Sequence, residues 1–216
     1  MTEWSLVGKP ALLIVHMQNA ICKAPSPLEA LGHCRATWED GIVPRMQALQ
    51  DAFRAKDLPV IFVCTYTPPE FKAPAYGDFW PGAKGSGVNR MGTRDVEVIE
   101  ELAPADGEPV FYNWPFNIFE NTDLQKYLEG NGIETVVLTG VATGMSVGTA
   151  AFALAERFYS LIVPSDACTD ARKDLHRAVI ESMLPAIGLV TTTDDVIAHV
   201  QQHRGPTGVK EGRQAI

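Results

Sequence analysis

Residues 135–158, TVVLTGVATGMSVGTAAFALAERF, place a strand, a glycine-containing turn and a helix in immediate succession. The opening run Thr135-Val136-Val137-Leu138-Thr139 is β-branched and apolar without polar alternation, the pattern of a strand covered on both faces of a parallel sheet. Residues 147–158 are rich in Ala, with apolar side chains at helical spacing. Between them Gly140 and Gly144 permit a tight strand-to-helix turn. That turn leaves Ser146 near a helix N-terminus, where free N–H groups favour negative charge. A serine there has two readings. It caps the helix, the commoner use of serine at that place, or it is a nucleophile whose oxyanion those N–H groups stabilise.

Working outward, residues 11–15 (ALLIV) read as a first buried strand, ending abruptly at His16-Met17-Gln18-Asn19. Residues 58–64 predict a second strand and residues 108–112 a third, which ends at Asn113-Trp114. Further strands are expected over 160–163 and 188–191. Helical patterns fill the gaps at 34–56 (broken near Pro44), 95–102, 123–130, 171–184 and 194–202, the last capped by Thr193. Six strands alternating with helices predict an α/β, three-layer, doubly wound, mostly parallel sheet with helices on both faces. Ligands bind such sheets at the carboxyl ends of the strands. His16, Asn113 and Ser146 all fall there and are expected around one pocket.

A chain of 216 residues accommodates one core, so residues 1–204 are expected to form a single domain and 205–216 a flexible polar tail. The formal net charge of −8, with Lys and Arg scattered, argues against a nucleic-acid partner. Cys22, Cys34, Cys64 and Cys168 have neither disulfide-scaffold nor zinc-site spacing and suit a reducing compartment. The N-terminus lacks signal-peptide character and no apolar run reaches membrane-spanning length. A cytoplasmic protein with no membrane partner is therefore expected.

No cofactor is expected, since no phosphate-binding glycine motif occurs, and no metal, since no CxxC pair and no His at zinc-site spacing is present. His33, His176, His199 and His203 read as surface residues, and Cys64 as a small buried side chain or a pocket wall. The long segment 70–93 carries Phe71, Tyr76, Phe79 and Trp80, either as a lid or as packing against the body. Tyr66, Trp80 and Trp114 lie in loops at the active end, and with Gln18 they are candidate contacts for a flat or apolar small molecule.

The stretch ALLIVHMQN (11–19) resembles the opening strand of the isochorismatase-like cysteine hydrolases, in which Asp-Met-Gln-Asn follows the hydrophobic run. VLTGVATGMSV (137–147) resembles their nucleophile segment, Thr-Gly-Val-Ala-Thr-Asn-X-Cys-Val. Agreement continues through Glu156-Arg157-Phe158, Asp166-Ala167-Cys168 and Thr191-Thr192-Thr193-Asp194, and so covers nearly the whole chain in order. The resemblance implies the fold, a cis peptide between Val141 and Ala142 at the substrate, and a homo-oligomer, dimer or tetramer. It also implies hydrolysis of amides, imides, ureas or, in isochorismatase itself, a vinyl ether.

The family's amide hydrolases use an Asp, Lys and Cys triad, and all three are exchanged here. His16 stands at the Asp position, Asn113 at the Lys position and Ser146 at the Cys position. Three readings follow. The site is degenerate and the protein binds or scaffolds; the site is rebuilt around Ser146 with His16 as its base; or His16 works alone in proton transfer.

Overall fold

The computed structural model describes residues 4–26, 28–70, 89–114 and 116–203. Its centre is a parallel sheet in the order β3-β2-β1-β4-β5-β7, built from β1 (Lys9–Val15), β2 (Val60–Thr65), β3 (Val110–Asn113), β4 (Ile133–Val141), β5 (Ser160–Pro164) and β7 (Leu189–Thr191). These are the six expected strands. A two-residue strand, β6 (Cys168–Thr169), adds to the upper end of β4 opposite Gly140 and Val141.

Side-chain alternation along the central strands makes the layers. Ala11, Leu13 and Val15 of β1 and Val136 and Leu138 of β4 face one core, closed by Leu124, Leu128, Ala150, Ala151 and Leu154. Leu12, Ile14 and Val137 face the other, closed by Ile42, Met46, Leu49, Phe53, Val196 and Val200. The first set of helical residues comes from Leu124–Gly130 and Gly148–Ala155, the second from Ile42–Arg54 and Thr193–Gln202. Both faces are covered because β1 and β4 carry apolar residues on both sides of the pleat, so each side needs a helical layer.

The helices depart from expectation where tertiary pairing outweighs local pattern. The 34–56 pattern breaks at Gly41 (φ 64°), not at Pro44, into His33–Glu39 and Ile42–Arg54. Pro44 sits in the first turn of the second helix, where a missing N–H forgoes no bond. Residues 95–102 form two 3₁₀ turns, Arg94–Val96 and Glu100–Leu102, in place of a helix. Between them Glu97 O accepts from Asn19 N at 3.0 Å and Ile99 N donates to Met17 O at 3.0 Å, bonds a continuous helix would forbid. The 171–184 pattern runs as Lys173–Ala178, widens to a π turn over Val179–Met183 and tightens to 3₁₀ at Leu184–Ala186, where Pro185 brings no N–H to extend it.

Gly140 sets how closely β1 and β4 approach. It has φ 137°, and a Cβ there would lie 2.2 Å from the Val15 carbonyl oxygen. Gly130, in contrast, ends its helix with nothing within 4 Å of the place a Cβ would take. Gly140→Ala is therefore expected to lower unfolding free energy by at least ~2 kcal/mol through overpacking and backbone strain. Gly130→Ala should be neutral or stabilising by up to ~1 kcal/mol. Urea unfolding of the two variants checks the contrast.

Candidate active site

The strand order reverses direction between β1 and β4, since β2 and β3 lie on one side and β5 and β7 on the other. A crevice forms at such a switch point beyond the carboxyl ends of the strands. His16 follows the last residue of β1, Asn113 is the last residue of β3, and Ser146 lies in the turn after β4. The register Val15↔Gly140 brings the exits of β1 and β4 to the same height.

The three side chains form one hydrogen-bonded row. His16 Nδ1 and Ser146 Oγ are 2.8 Å apart, and His16 Nε2 and Asn113 Oδ1 are 3.2 Å apart. Asn113 Nδ2 donates to the Asn117 carbonyl at 3.3 Å, which turns its Oδ1 toward the ring. Oδ1 only accepts, so Nε2 carries the proton and Nδ1 presents a lone pair to the Ser146 hydroxyl. The row is enclosed: His16 is 3% exposed, Asn113 0% and Ser146 9%. Ser146 thus opens toward solvent more than its partners do.

His16 has φ 56°, a left-handed conformation that a non-glycine residue adopts at some cost, and its N–H is held by the Val63 carbonyl at 2.7 Å. Burial pulls its imidazole from the ordinary 6.5 down to about 4, with the Asn113 hydrogen bond acting in the opposite direction. The ring is neutral at physiological pH.

Ser146 does not cap its helix. The turn begins as a π segment, Thr143–Val147, whose N-cap residue is Ala142 and makes no side-chain cap bond. The serine hydroxyl goes to His16 instead. The Val141–Ala142 peptide is cis, as the resemblance implies, and both residues are buried at the head of this turn.

Of the other candidate contacts, Tyr66 is half-buried and its N–H donates to the Asn113 carbonyl at 3.2 Å, while Trp114 is half-buried and adjoins Asn113 in sequence. Trp80 lies outside the described residues. Gln18 is fully enclosed: its amide nitrogen donates to Thr65 O and Asn89 Oδ1, each at 3.0 Å, and its Oε1 accepts from Thr65 N at 2.8 Å. It ties the end of β2 to the loop around Asn89 and offers no free surface to a ligand. Cys64 is buried and its thiol is pushed far up by that burial, so it is packing.

A second polar layer behind the serine turn escaped the sequence reading. Asp170, 3% exposed, accepts from Gly144 N at 2.8 Å and from Arg172 N at 3.0 Å. Thr143 Oγ1 and His176 Nδ1 are 2.9 Å apart. His176 is therefore half-buried against the turn and not a free surface side chain. His33 is likewise half-buried, near the Ala171 N–H. His199 stacks on Trp4 with ring centroids 3.6 Å apart. No local pattern in the sequence signals this layer; in the fold, the Leu175 side chain packs on the turn at Gly144, where a Cβ would lie 2.2 Å from it.

A cleft of about 400 Å³ elsewhere is lined by Asp40, Arg45, Asp166, Lys173 and His176 and contains none of His16, Asn113 and Ser146. Four of its charged groups pair, Asp40 with Lys173 and Asp166 with Arg45. Among the described residues, no three His, Cys, Asp or Glu side chains are grouped to hold a metal ion, and no helix is long and apolar enough to cross a membrane.

The fold has counterparts among known proteins. The family model of the isochorismatase domain matches residues 10–195. A probable isochorismatase of Pseudomonas chlororaphis is 26% identical over 91% of this chain and 89% of its own length. An N-carbamoylsarcosine amidase of Arthrobacter is 24% identical over 89% of this chain and 72% of its own. Among solved structures, a cysteine hydrolase from Pseudomonas syringae superposes with a TM-score of 0.77 at 24% identity, covering 94% of this chain and 99% of that one. N-carbamoylsarcosine amidase from Thermoplasma acidophilum gives 0.67 at 26% identity, covering 86% and 97%.

The enclosed ring makes stability depend on pH. Unfolded, His16 takes up a proton near its ordinary 6.5; folded, only near 4. The contribution of the neutral ring to stability is whole above pH 6.5 and is lost as pH falls to about 4, a change of about 3 kcal/mol. His33 and His176 are also depressed by burial and act in the same direction. Urea unfolding of wild type and His16→Asn across this window should show the wild type losing more stability than the variant, and equal slopes would refute a buried neutral His16.

Proposed function

Because the chain belongs to the isochorismatase family, we propose that it is a hydrolase in which Ser146, His16 and Asn113 have replaced the family's cysteine-based triad. Its substrate is a small cyclic or aromatic amide, imide or ester. The observation that carries this reading is the 2.8 Å contact between the unprotonated Nδ1 of His16 and the Ser146 hydroxyl, with Asn113 holding the ring's other nitrogen. A serine hydroxyl is far less acidic than a thiol and needs a base in direct contact, which His16 supplies.

The steps follow from the row. Ser146 Oγ adds to the acyl carbon as its proton passes to His16 Nδ1, and Asn113 Oδ1 holds the ring through Nε2–H. Of the N–H groups in the Thr143–Val147 turn, that of Gly144 is held by Asp170 and those of Met145 and Val147 by the Ala142 carbonyl, so the developing oxyanion is assigned to the Ser146 N–H. The imidazolium returns the proton to the leaving group, and water then releases the acyl group along the same path. Tyr66, whose N–H is bonded to the Asn113 carbonyl, and Trp114, next to Asn113 in sequence, are the proposed contacts for the rest of the substrate. The amidase relative supports acyl chemistry on this scaffold, and a degenerate site gives no reason for so ordered a row.

Trapping with acylating substrates and intact-mass measurement should show one acyl group on Ser146. Ser146→Ala and His16→Ala should each lower kcat by roughly 10³-fold or more and to a similar extent, because nucleophile and base act as a unit. A silent Ser146→Ala with an inactive His16→Ala would instead identify His16 as a lone proton-transfer group, and two silent variants a binding site.

The acid limb of kcat/KM reports the free enzyme's His16 and should lie near pH 4, activity falling as the ring protonates. In Asn113→Asp the limb should move up by about one unit or more, since a carboxylate stabilises the imidazolium. A limb that stays in place would remove the ring's contact with residue 113 from the mechanism.

A further inference from the structure

The row of groups at the strand ends is without formal charge. Asn113 offers a carboxamide oxygen to His16 where a carboxylate would offer a full negative charge. Ser146, Thr65, Thr67, Gln18 and Tyr66 add only hydroxyls, amides and backbone groups, and none of them is bonded to an ionised side chain among the described residues. Carboxylates stand behind the row and do not bond to it: Asp95 accepts from the Asn89 N–H and Asp170 from the Gly144 N–H at the back of the serine turn.

Two consequences follow. An anionic substrate entering this enclosed row would lose its water without meeting a counter-ion among the described residues that form the row, the costliest kind of burial. Among the described residues, the imidazolium formed when Ser146 attacks is hydrogen-bonded to no ionised group, and the oxyanion is made with it. Attack is therefore the demanding step, and it favours an electrophilic carbonyl, whereas the imidazolium, once formed, readily gives its proton to the leaving group. The low proton affinity of the ring, set by burial and Asn113 with no charged neighbour contributing, agrees with this division.

We propose that the site hydrolyses uncharged esters with good leaving groups in preference to amides and to anionic acyl compounds. The inference rests on the Ser146 and His16 reading above and narrows it. In the balanced sequence, the Oγ–acyl bond forms as the serine proton moves to Nδ1. The ester C–O bond breaks as the leaving alkoxide or phenoxide takes that proton. Water then adds to the acyl carbon, passing a proton to Nδ1, and Ser146 regains it as the carboxylic acid departs.

The test uses the full chain and three probes of similar size: 4-nitrophenyl butyrate, the anionic mono-4-nitrophenyl succinate, and butyryl 4-nitroanilide. The neutral ester should be turned over with kcat/KM at least ~30-fold above the succinate, and the anilide should give no Ser146-dependent turnover, all rates being taken as the difference from Ser146→Ala. Succinate turnover within about tenfold of butyrate, or anilide turnover abolished by Ser146→Ala, overturns the substrate class while leaving the nucleophile in place. If no probe acylates Ser146 and no rate is lost in Ser146→Ala, the Ser146 and His16 reading itself falls, and this inference with it.

Discussion

The close passage of β4 against β1 at Gly140 is the constraint on which the site depends. With no Cβ at Gly140, the backbone comes up to the Val15 carbonyl at a separation that no other residue allows. The registers Ile14↔Thr139 and Val15↔Gly140 then end both strands at one level. His16 leaves one and the serine turn leaves the other, and a side chain of ordinary length spans the gap with a 2.8 Å hydrogen bond. Every apolar position on the two strands serves this register, because a slip of one residue would exchange the faces of both cores.

Around that contact the protein arranges two kinds of polar support. On the substrate side the groups are uncharged and deeply enclosed, so His16 is neutral and directional, held by Asn113 on one nitrogen and facing Ser146 with the other. Behind the turn the support includes a carboxylate: Asp170 accepts from the Gly144 N–H, and the His176 ring meets the Thr143 hydroxyl. The serine is thus positioned by groups that do not share its face. A carboxylate behind the turn orders it without a hydrogen bond to the His16 ring, an arrangement suited to preorganisation.

Much of this was legible in the chain. The six strands, their parallel sense and the placing of His16, Asn113 and Ser146 at strand exits follow from apolar runs bounded by polar residues, since burial on two faces leaves no other pattern. The role of Gln18 was not legible. A polar residue two places beyond His16 reads as a ligand contact, and only the arrival of Thr65 and Asn89, distant in sequence, shows its amide closing a gap between loops. Residues 95–102 misled for a related reason, because helical spacing there yields to backbone bonds with Met17 and Asn19.

The sequence by itself determined the layered α/β architecture and the three residues of the row, because periodicity and strand ends are local properties of a chain. Tertiary structure alone decided what those residues are to one another. Whether Ser146 caps a helix or faces an imidazole depends on the distance between β1 and β4. Which nitrogen of His16 is protonated depends on how Asn117 turns the Asn113 amide. The neutrality of the ring depends on burial by segments far away in sequence, and hydrogen bonding and desolvation act through space, so no local pattern could have carried them.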